Sequence, residues 1–345
     1  MAIENIARRG KLYLKQMPVA VSALAIFACL CSCTGTDDKP ASGPLEKVTI
    51  AYATQPETAL AQVAQSQGYY REEGLQATAH LHPYGKPALK EVLEGKADFA
   101  TVAETPVMFA IMNGEKISVI ATIQTSSLGN AILARKDRGI RALTDLSGKT
   151  IAATFGTTSH FFLDAILGIN GISLQDVKVV DLQAEEIPQA LARGDIDAVS
   201  TFNPYLAIAQ KKLGKRLITF RDKDVYRYTF NVVATREFIR MNPGKVRKML
   251  HALIKAEEFV RNNPGAAQKI VADFSGIEPA IVRDIWADYR FDLTLEQSLI
   301  LTLEYESRWA IKSGLVKARK VPNYLQYIYF DGLDSVKPEA VSILR

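Results

Sequence analysis

Short apolar runs rich in β-branched residues alternate with helix-type periodicity along most of this chain, and the alternation starts twice. In the first series, strands are predicted at residues 48–53, 75–81, 98–102 and 117–123, with helices between them. In the second series, strands are predicted at residues 150–153, 177–182, 196–201 and 217–220. This order is typical of parallel sheets covered by helices on both faces. Because it starts twice, we predict an α/β protein built from two such units.

The C-terminal third departs from this pattern. One further strand is predicted at residues 231–234, and residues 236–345 are predicted to be helices separated by stops that contain Pro or Gly. At roughly 150 residues per domain, a chain of 345 residues has room for about two domains, in agreement with the two units.

Charge and cysteine content exclude two classes of function. The net charge is +5, and three of these charges lie within residues 1–32, so the remaining chain has no basic excess that would favour nucleic acid. All three cysteines lie at residues 29, 31 and 33. A disulfide framework or a cysteine metal site in the rest of the chain is therefore excluded.

The first 33 residues have the organisation of an export signal. A basic segment at residues 8–15 precedes an apolar run of about 15 residues, shorter than the ~20 residues of a membrane-spanning helix. The run ends in Leu30-Cys31-Ser32-Cys33, which resembles the lipobox of bacterial lipoproteins, with Cys33 as the lipidated residue. A plain cleaved signal or an N-terminal anchor is the alternative. Residues 34–44 are small, polar and rich in Pro and Gly, which predicts a flexible tether.

Hydroxyl, amide and aromatic side chains follow the predicted strands. In open parallel sheets, ligands bind beyond the carboxyl ends of the strands, so these residues are the candidate ligand contacts. They are Thr54, Tyr84, Glu104, Thr105, Thr125, Ser126, Thr157, Thr158, Ser159, His160, Phe202 and Asn203. Such groups hydrogen-bond a small polar ligand. The sequence contains no apparent Ser-His-Asp spacing, cysteine nucleophile or catalytic carboxylate pair, which favours binding over catalysis.

Two of these positions predict the charge of the ligand. The glycine turn and hydroxyls at residues 156–159 open a predicted helix, whose free N–H groups and dipole suit an anionic headgroup. The alternative is that these hydroxyls only cap their own helix. Glu104 would pair with an amine on the ligand, or else is a solvated or capping carboxylate. His80 and His82 share one face of a strand, but no third ligand is apparent and no metal site is predicted.

Several segments together resemble the extracytoplasmic solute-binding proteins of ABC importers. The match is to the NMT1/THI5-like group, which includes nitrate, taurine and aliphatic-sulfonate binders and pyrimidine-precursor binders. The segments lie at residues 68–75, 95–100, 104–106, 145–151, 156–161, 190–198, 203–205, 236–238 and 242–243. Each is weak alone, but their order and spacing, over about residues 45–330, are specific to the group.

The resemblance implies a two-lobe periplasmic-binding-protein fold of type II, with two hinge crossings and a ligand cleft between the lobes. Lobe 1 would comprise residues 45–133 and 229–345, and lobe 2 residues 134–228. The twelve candidate contacts would line the cleft. The protein would be a monomer, anchored by its lipid to a bacterial membrane, with its body in the periplasm or at the extracellular face. It would deliver a small sulfonate, taurine or nitrate-like solute to an ABC permease, with no enzymatic activity, cofactor, metal or nucleic acid.

Three alternatives stay open at this point. In the first, the ligand is a thiamin-precursor pyrimidine rather than a sulfonate, taurine or nitrate-like solute. In the second, the protein is a solute-binding sensor for a membrane signalling partner rather than a transport receptor. Pyrimidine synthases of thiamin biosynthesis resemble this fold as well, but they depend on a cysteine-rich motif that is absent after residue 33. Tryptophans often line the sites of this group, whereas Trp286 and Trp309 are expected in C-terminal helices away from the cleft.

Overall fold

The computed structural model describes residues 43–345 of the chain, and the structural statements below concern these residues. The predicted export signal, the lipobox with Cys33 and nearly all of the predicted tether lie outside them. Among the described residues, no helix is both long and apolar enough to cross a membrane.

Ten strands and thirteen helices make up the described part of the chain. The strands are β1 (Glu46–Ala53), β2 (Leu75–His82), β3 (Phe99–Ala103), β4 (Ile117–Ser126), β5 (Asn130–Arg135), β6 (Thr150–Ala153), β7 (Lys178–Asp181), β8 (Ala198–Phe202), β9 (Leu217–Phe220) and β10 (Tyr228–Thr235). The helices are α1 (Ala59–Ser66), α2 (Tyr69–Glu72), α3 (Gly85–Leu93), α4 (Glu104–Met112), α5 (Thr158–Ile169), α6 (Ile187–Arg193), α7 (Tyr205–Leu213), α8 (Arg236–Met241), α9 (Pro243–Asn262), α10 (Pro264–Ser275), α11 (Pro279–Ile285), α12 (Gln297–Lys312) and α13 (Phe330–Val336).

The strands form two five-stranded sheets. The first has the order β2-β1-β3-β10-β4 and the second the order β7-β6-β8-β5-β9. The first sheet together with the helices packed on it is called the first lobe, and the second sheet together with its helices is called the second lobe. The α/β architecture with two sheets is the one predicted from the sequence.

Each sheet is mixed rather than parallel, which corrects the sequence prediction. In the first sheet, β10 runs antiparallel to β3 and β4, and in the second, β5 runs antiparallel to β8 and β9. β5 was not predicted at all. Both reversed strands directly follow a connection from the other sheet. The chain therefore enters each lobe on the side that faces the other lobe. The entering strand starts there and runs antiparallel to its two neighbours.

The two connections lie at residues 127–129 and 221–227. They are the only places where consecutive described strands belong to different sheets. β5 begins at Asn130 and β10 at Tyr228. The lobe limits given above, at residues 133/134 and 228/229, remain predictions.

The core of the first lobe continues into the C-terminal helices. α9 starts directly after Asn242 with Pro243 in its first turn, where the missing N–H of proline leaves no hydrogen bond unmade. Its buried residues Val246, Leu250 and Leu253 recur at helical spacing and form one apolar stripe. Helices α9 and α10 pack against α1, and α12 packs against α4. The C-terminal third thereby packs against the helices that follow strands β1 and β3 of the first sheet.

Candidate functional site

A narrow cavity lies where the carboxyl ends of the strands of both sheets meet. Its empty volume is about 310 Å³, of which only about 20 Å³ admits the centre of a water molecule, room for roughly one water. The lobes are therefore nearly closed on each other. The lining residues are Gln55, Glu57, Tyr84, Gly85, Lys86, Ala103, Pro106, Thr157, Thr158, Phe202, Tyr228 and Phe230.

Two hydrogen bonds cross between the lobes at side chains that line the cavity. The side-chain N–H of Gln55, after β1, donates to the carbonyl of Asn203, after β8, at 3.0 Å. The ammonium group of Lys86, in the first turn of α3, donates to the carbonyl of Phe155, after β6, at 2.8 Å. Both bonds join positions that follow strands of different sheets, so the strand ends of the two lobes face one shared space.

Aromatic residues make a second bridge between the lobes. The Tyr84 hydroxyl donates to the Gln183 side chain at 2.5 Å, and the Tyr205 hydroxyl donates to the Pro83 carbonyl at 3.0 Å. The rings of Tyr84 and Phe202 lie 6.2 Å apart between centroids and form part of one buried apolar cluster. Opening the lobes would break each of these contacts, and a neutral hydrogen bond contributes about 1 kcal/mol to such an equilibrium.

The N-terminus of α5 points its first turn at this cavity. Thr157 precedes the helix in an extended conformation, and no side chain caps the first turn. The Thr157 hydroxyl donates to the Thr154 carbonyl at 2.6 Å, and the Thr158 hydroxyl donates to the Asn130 side chain at 3.0 Å. These hydroxyls are thus turned away from the helix N–H groups, which argues against plain capping as their role. The exposed positive end of the helix dipole suits an anion.

Glu57 brings a carboxyl group to the same cavity. It lies in the 3-10 turn Pro56–Thr58 after β1 and is 1% exposed. One carboxyl oxygen accepts from the Tyr228 hydroxyl at 3.1 Å, while Oε2 is buried with no partner among the described residues. Burial raises the pKa of Glu57 to about 8. Glu57 was not among the predicted contacts, because it lies in the turn beyond the end of β1, whereas Glu104 directly follows β3.

Asn203 and Tyr289 extend this polar cluster across the lobes. Asn203 is fully buried, and within residues 43–345 neither its side-chain nitrogen nor its side-chain oxygen has a hydrogen-bond partner; the same holds for the Tyr289 hydroxyl. Burial raises the pKa of Tyr289 well above its usual value, Glu57 adds to this rise, and Asn203 opposes it. The three side chains therefore lie close together, with unused hydrogen-bonding capacity beside the cavity.

Comparison with known proteins identifies the family. A family model described as NMT1/THI5 like matches residues 55–267, more than half of the chain. The chain belongs to the NMT1/THI5-like family.

Relatives of this NMT1/THI5-like protein carry the names of binding proteins. A putative aliphatic sulfonates-binding protein of Bacillus subtilis (strain 168) is 26% identical over 228 residues, which cover 65% of this chain and 68% of the relative. The taurine-binding periplasmic protein of Escherichia coli (strain K12) is 29% identical over 165 residues, 48% of this chain and 50% of the relative. The curated relatives are thus binding proteins, and those named periplasmic are exported.

Solved structures confirm the fold. The alkanesulfonate-binding protein SsuA of Xanthomonas axonopodis pv. citri, bound to MOPS, superposes with a TM-score of 0.70 at 18% identity, covering 84% of this chain and 99% of its own. The nitrate-binding protein NrtA of Synechocystis PCC 6803 superposes with a TM-score of 0.67 at 11% identity, covering 85% and 89%. The two-lobe α/β fold of periplasmic binding proteins, predicted from the resemblance, is therefore confirmed.

Four of the twelve predicted contacts line the cavity of this NMT1/THI5-like protein: Tyr84, Thr157, Thr158 and Phe202. Asn203 lies beside it, through its carbonyl bond to Gln55. The other seven do not line it; they are Thr54, Glu104, Thr105, Thr125, Ser126, Ser159 and His160. Because none of these seven residues lines the cavity, their predicted contact with the ligand stays a prediction.

Glu104 and Thr105 belong to a buried network inside the first lobe. One Glu104 oxygen accepts from the backbone N–H of Thr229 at 2.8 Å and from its hydroxyl at 3.1 Å, and the other accepts from the Tyr226 hydroxyl. The Thr105 hydroxyl donates to Glu306 of α12 at 2.5 Å. Burial raises the pKa of Glu104 to about 7 and that of Glu306 well above its usual value. This network ties α4 to α12 and β10.

The remaining predicted hydroxyls have partners in their own lobe or in the connections that adjoin it. Thr54 donates to the His82 carbonyl at 3.0 Å, Ser126 accepts from the N–H of Leu128 at 2.9 Å, and Thr125 accepts from Arg227 at 3.2 Å. Ser159 is fully buried and lies 3.0 Å from the Thr157 hydroxyl. These side chains hold the strand ends in place.

His160 lines a larger groove that adjoins the cavity and shares Tyr84, Lys86 and Pro106 with it. The groove has about 730 Å³ for water-sized solutes. The His160 ring stacks on Phe155, with centroids 4.4 Å apart, and meets the edge of Trp309 at 5.1 Å. Burial lowers the pKa of His160 to about 4, so its ring is neutral at physiological pH. Trp309 lies in a C-terminal helix, α12, as expected, and lines neither the cavity nor this groove, although its ring contacts that of His160 in α5.

The described residues contain no group of three or more metal-ligating side chains. The imidazole Nδ1 of His80 lies 2.7 Å from Glu91, and Nε2 of His82 lies 3.4 Å from the same carboxylate. Both histidines therefore lie beside Glu91, and His80 is the one within hydrogen-bond distance of it.

Proposed function

We propose that this protein captures a small polar solute with an anionic headgroup in the cavity between its lobes and delivers it to the permease of an ABC importer. The observation that carries the proposal is the cavity itself. It joins the strand ends of two sheets, is bridged by direct hydrogen bonds, and has the side-chain-uncapped N-terminus of α5 in its wall. The names of the relatives, which include sulfonate- and taurine-binding proteins, support the same ligand class.

The headgroup would lie against Thr157, Thr158 and Lys86. The helix dipole and the N–H groups of the first turn of α5 attract an anion, and Lys86 adds a full positive charge at the same end of the cavity. Tyr84 and Phe202 would enclose the apolar part of the solute. The predicted contacts that do not line the cavity would act indirectly, by holding the strand ends.

Capture would involve closure of the lobes about the two connections at residues 127–129 and 221–227. We further propose that the chain is exported and held at a bacterial membrane by a lipid on Cys33, with residues 34–44 as a tether. A receptor restrained in this way stays close to its permease.

A pyrimidine precursor of thiamin is the second candidate ligand. Tyr84 and Phe202 are two of the four aromatic residues that line the cavity, and their rings would stack on a flat heterocycle. Their rings already contact each other at 6.2 Å, so such a ligand would have to open the lobes further than a small sulfonate does.

A thermal-shift screen of the full chain tests the proposal. The panel contains alkanesulfonates, aminoalkanesulfonates, nitrate, small carboxylates and a hydroxymethylpyrimidine. A true ligand at 100 times its Kd adds about 2.7 kcal/mol to the free energy of unfolding, which a melting curve detects. We expect stabilisation by at least one sulfonate. A panel in which only the pyrimidine stabilises the protein favours the second candidate, and a panel without any stabilising compound contradicts the binding function.

Loss of transport tests the second half of the proposal. Deleting the gene in its host should abolish uptake of the radiolabelled ligand found in the screen, and a copy that retains Cys33 should restore it. Uptake that continues at the normal rate would contradict delivery to a permease and favour a sensing role.

A further inference from the structure

We propose that Glu57 makes this protein selective for zwitterions, small solutes that carry a protonated amine together with the anionic headgroup. This inference rests on the proposed solute-binding function and names the ligand class for the same cavity. Glu57 would be the amine-binding residue, a role that the sequence analysis considered for Glu104.

The position of the Glu57 carboxyl group is the first argument. It lines the cavity, is 1% exposed, and has one oxygen, Oε2, with no hydrogen-bond partner among the described residues. Buried polar atoms in folded proteins are almost always hydrogen-bonded, and an exception at a cavity wall calls for an explanation. A donor supplied by the ligand satisfies this oxygen.

The charge distribution along the cavity is the second argument. Lys86 lines both the cavity and the open groove next to it, whereas Glu57 lines the cavity alone. Lys86 and Gly156, the latter just before α5, therefore lie toward the groove at the mouth of the cavity, whereas Glu57 does not line the groove. A ligand with separated opposite charges matches this arrangement, with its headgroup toward the mouth and its amine toward Glu57.

The neighbours of Glu57 favour an amine over a neutral donor. No lysine or arginine side chain hydrogen-bonds or pairs with Glu57 within the described residues; its neighbours are the hydroxyl of Tyr228 and, close by, that of Tyr289. An ionised carboxylate without a cation is unfavourable at such a buried position, and a ligand ammonium group supplies both the missing charge and the missing hydrogen bond. A simple anion supplies neither.

Calorimetric titration of the full chain with matched ligands tests this inference. The pairs are 2-aminoethanesulfonate with ethanesulfonate and 3-aminopropionate with propionate, which differ only by the amine. In at least one pair, we expect the wild-type protein to bind the ligand that carries the amine at least tenfold more tightly than the ligand that lacks it. Glu57→Gln keeps the size of the side chain and removes its charge, so it should reduce this preference at least tenfold.

Glu104→Gln is the matched control. Glu104 is an equally buried carboxyl of the same lobe, but it does not line the cavity and its oxygens are already hydrogen-bonded. The control should retain the preference for the amine, whatever its effect on stability. Circular dichroism and a melting curve confirm that each variant is folded.

Each other outcome has a definite meaning. Equal affinity within both pairs, or tighter binding of the ligand without the amine, overturns the role of Glu57 and leaves the solute-binding function in place. The same holds if Glu57→Gln weakens both members of a pair equally, because that effect is structural. Failure of all four ligands and of the whole screening panel overturns the binding function and this inference together.

Discussion

Glu57 and Glu104 are two buried carboxyl groups of the first lobe with nearly the same surroundings and different uses. Each follows a strand of the first sheet, each is at most 1% exposed, and each accepts a hydrogen bond from a tyrosine, Tyr228 or Tyr226. Burial raises the pKa of both, to about 8 for Glu57 and about 7 for Glu104.

The difference is in their hydrogen bonds. Both oxygens of Glu104 accept hydrogen bonds, from Thr229 in β10 and from Tyr226 in the connection before it, whereas Oε2 of Glu57 has no partner among the described residues and belongs to a residue that lines the cavity. A satisfied buried carboxyl stabilises the fold, and an unsatisfied one at a cavity is available to a ligand. Position after a strand does not distinguish the two, because the distinction depends on which donors the tertiary structure brings near.

The largest effect expected from this comparison is on stability. Glu104→Ala leaves the Thr229 N–H, the Thr229 hydroxyl and the Tyr226 hydroxyl without their acceptor, and we expect the free energy of unfolding to fall by about 3 kcal/mol. Glu57→Ala removes one hydrogen bond and should cost only about 1 kcal/mol. Urea unfolding of both variants measures these values. Equal losses would show that the two carboxyl groups do not differ in the way described.

A smaller effect, on ligand affinity, is expected when Tyr228, which donates a hydrogen bond to Glu57, is displaced. A Cβ at Gly129 would lie 1.9 Å from the Tyr228 hydroxyl that donates to Glu57, so Gly129→Ala must displace this hydroxyl or the backbone at residue 129. We expect ligand affinity to fall about 30-fold, equivalent to about 2 kcal/mol. Gly168→Ala is the control, since a Cβ there meets nothing within 4 Å. Unchanged affinity in Gly129→Ala, measured by calorimetry, would separate Tyr228 from the ligand site.

The pH dependence of binding should show the smallest effect and the clearest sign. Burial raises the pKa of Glu57 to about 8, so with an empty cavity the carboxyl group is mostly neutral at pH 6 and 7. Pairing with an amine needs the ionised form, and an alkylamine stays protonated in this range. Binding therefore releases a proton, and the affinity for a zwitterion should rise about tenfold between pH 6 and pH 7 and level off above pH 8.

Other ionisable groups near Glu57 should not produce this slope. Those that line or face the cavity are Lys86, Tyr84, Tyr205, Tyr228 and Tyr289. Burial raises the pKa of each of these tyrosines, so they stay neutral between pH 6 and pH 8. The slope should vanish in Glu57→Gln and persist in Glu104→Gln. A slope that survives in Glu57→Gln would assign the proton to another group.

Local patterns predicted much of the fold. Strands β6 and β9 have the predicted bounds, and the helix predicted to open at residues 156–159 is α5, which begins at Thr158. β5 was missed because its partners β8 and β9 follow 60 to 90 residues later, and a short strand after a lobe connection has no local signal of its own. For the same reason the sheets were expected to be parallel, since strand direction depends on how the chain re-enters each lobe.

The amino-acid sequence by itself determined the alternation of strands and helices, the two units, the family and the edge of the sheets where the cavity lies. The elements, the two units and the edge follow from hydrophobic periodicity and from the position of ligand sites beyond the strand ends, and the family follows from the order and spacing of the segments that resemble it. Which polar groups remain free for a ligand was decided by the tertiary structure alone. Thr54 and Glu104 find partners in their own lobe, and Glu57 keeps an oxygen without one, because hydrogen-bond satisfaction depends on groups distant in the chain.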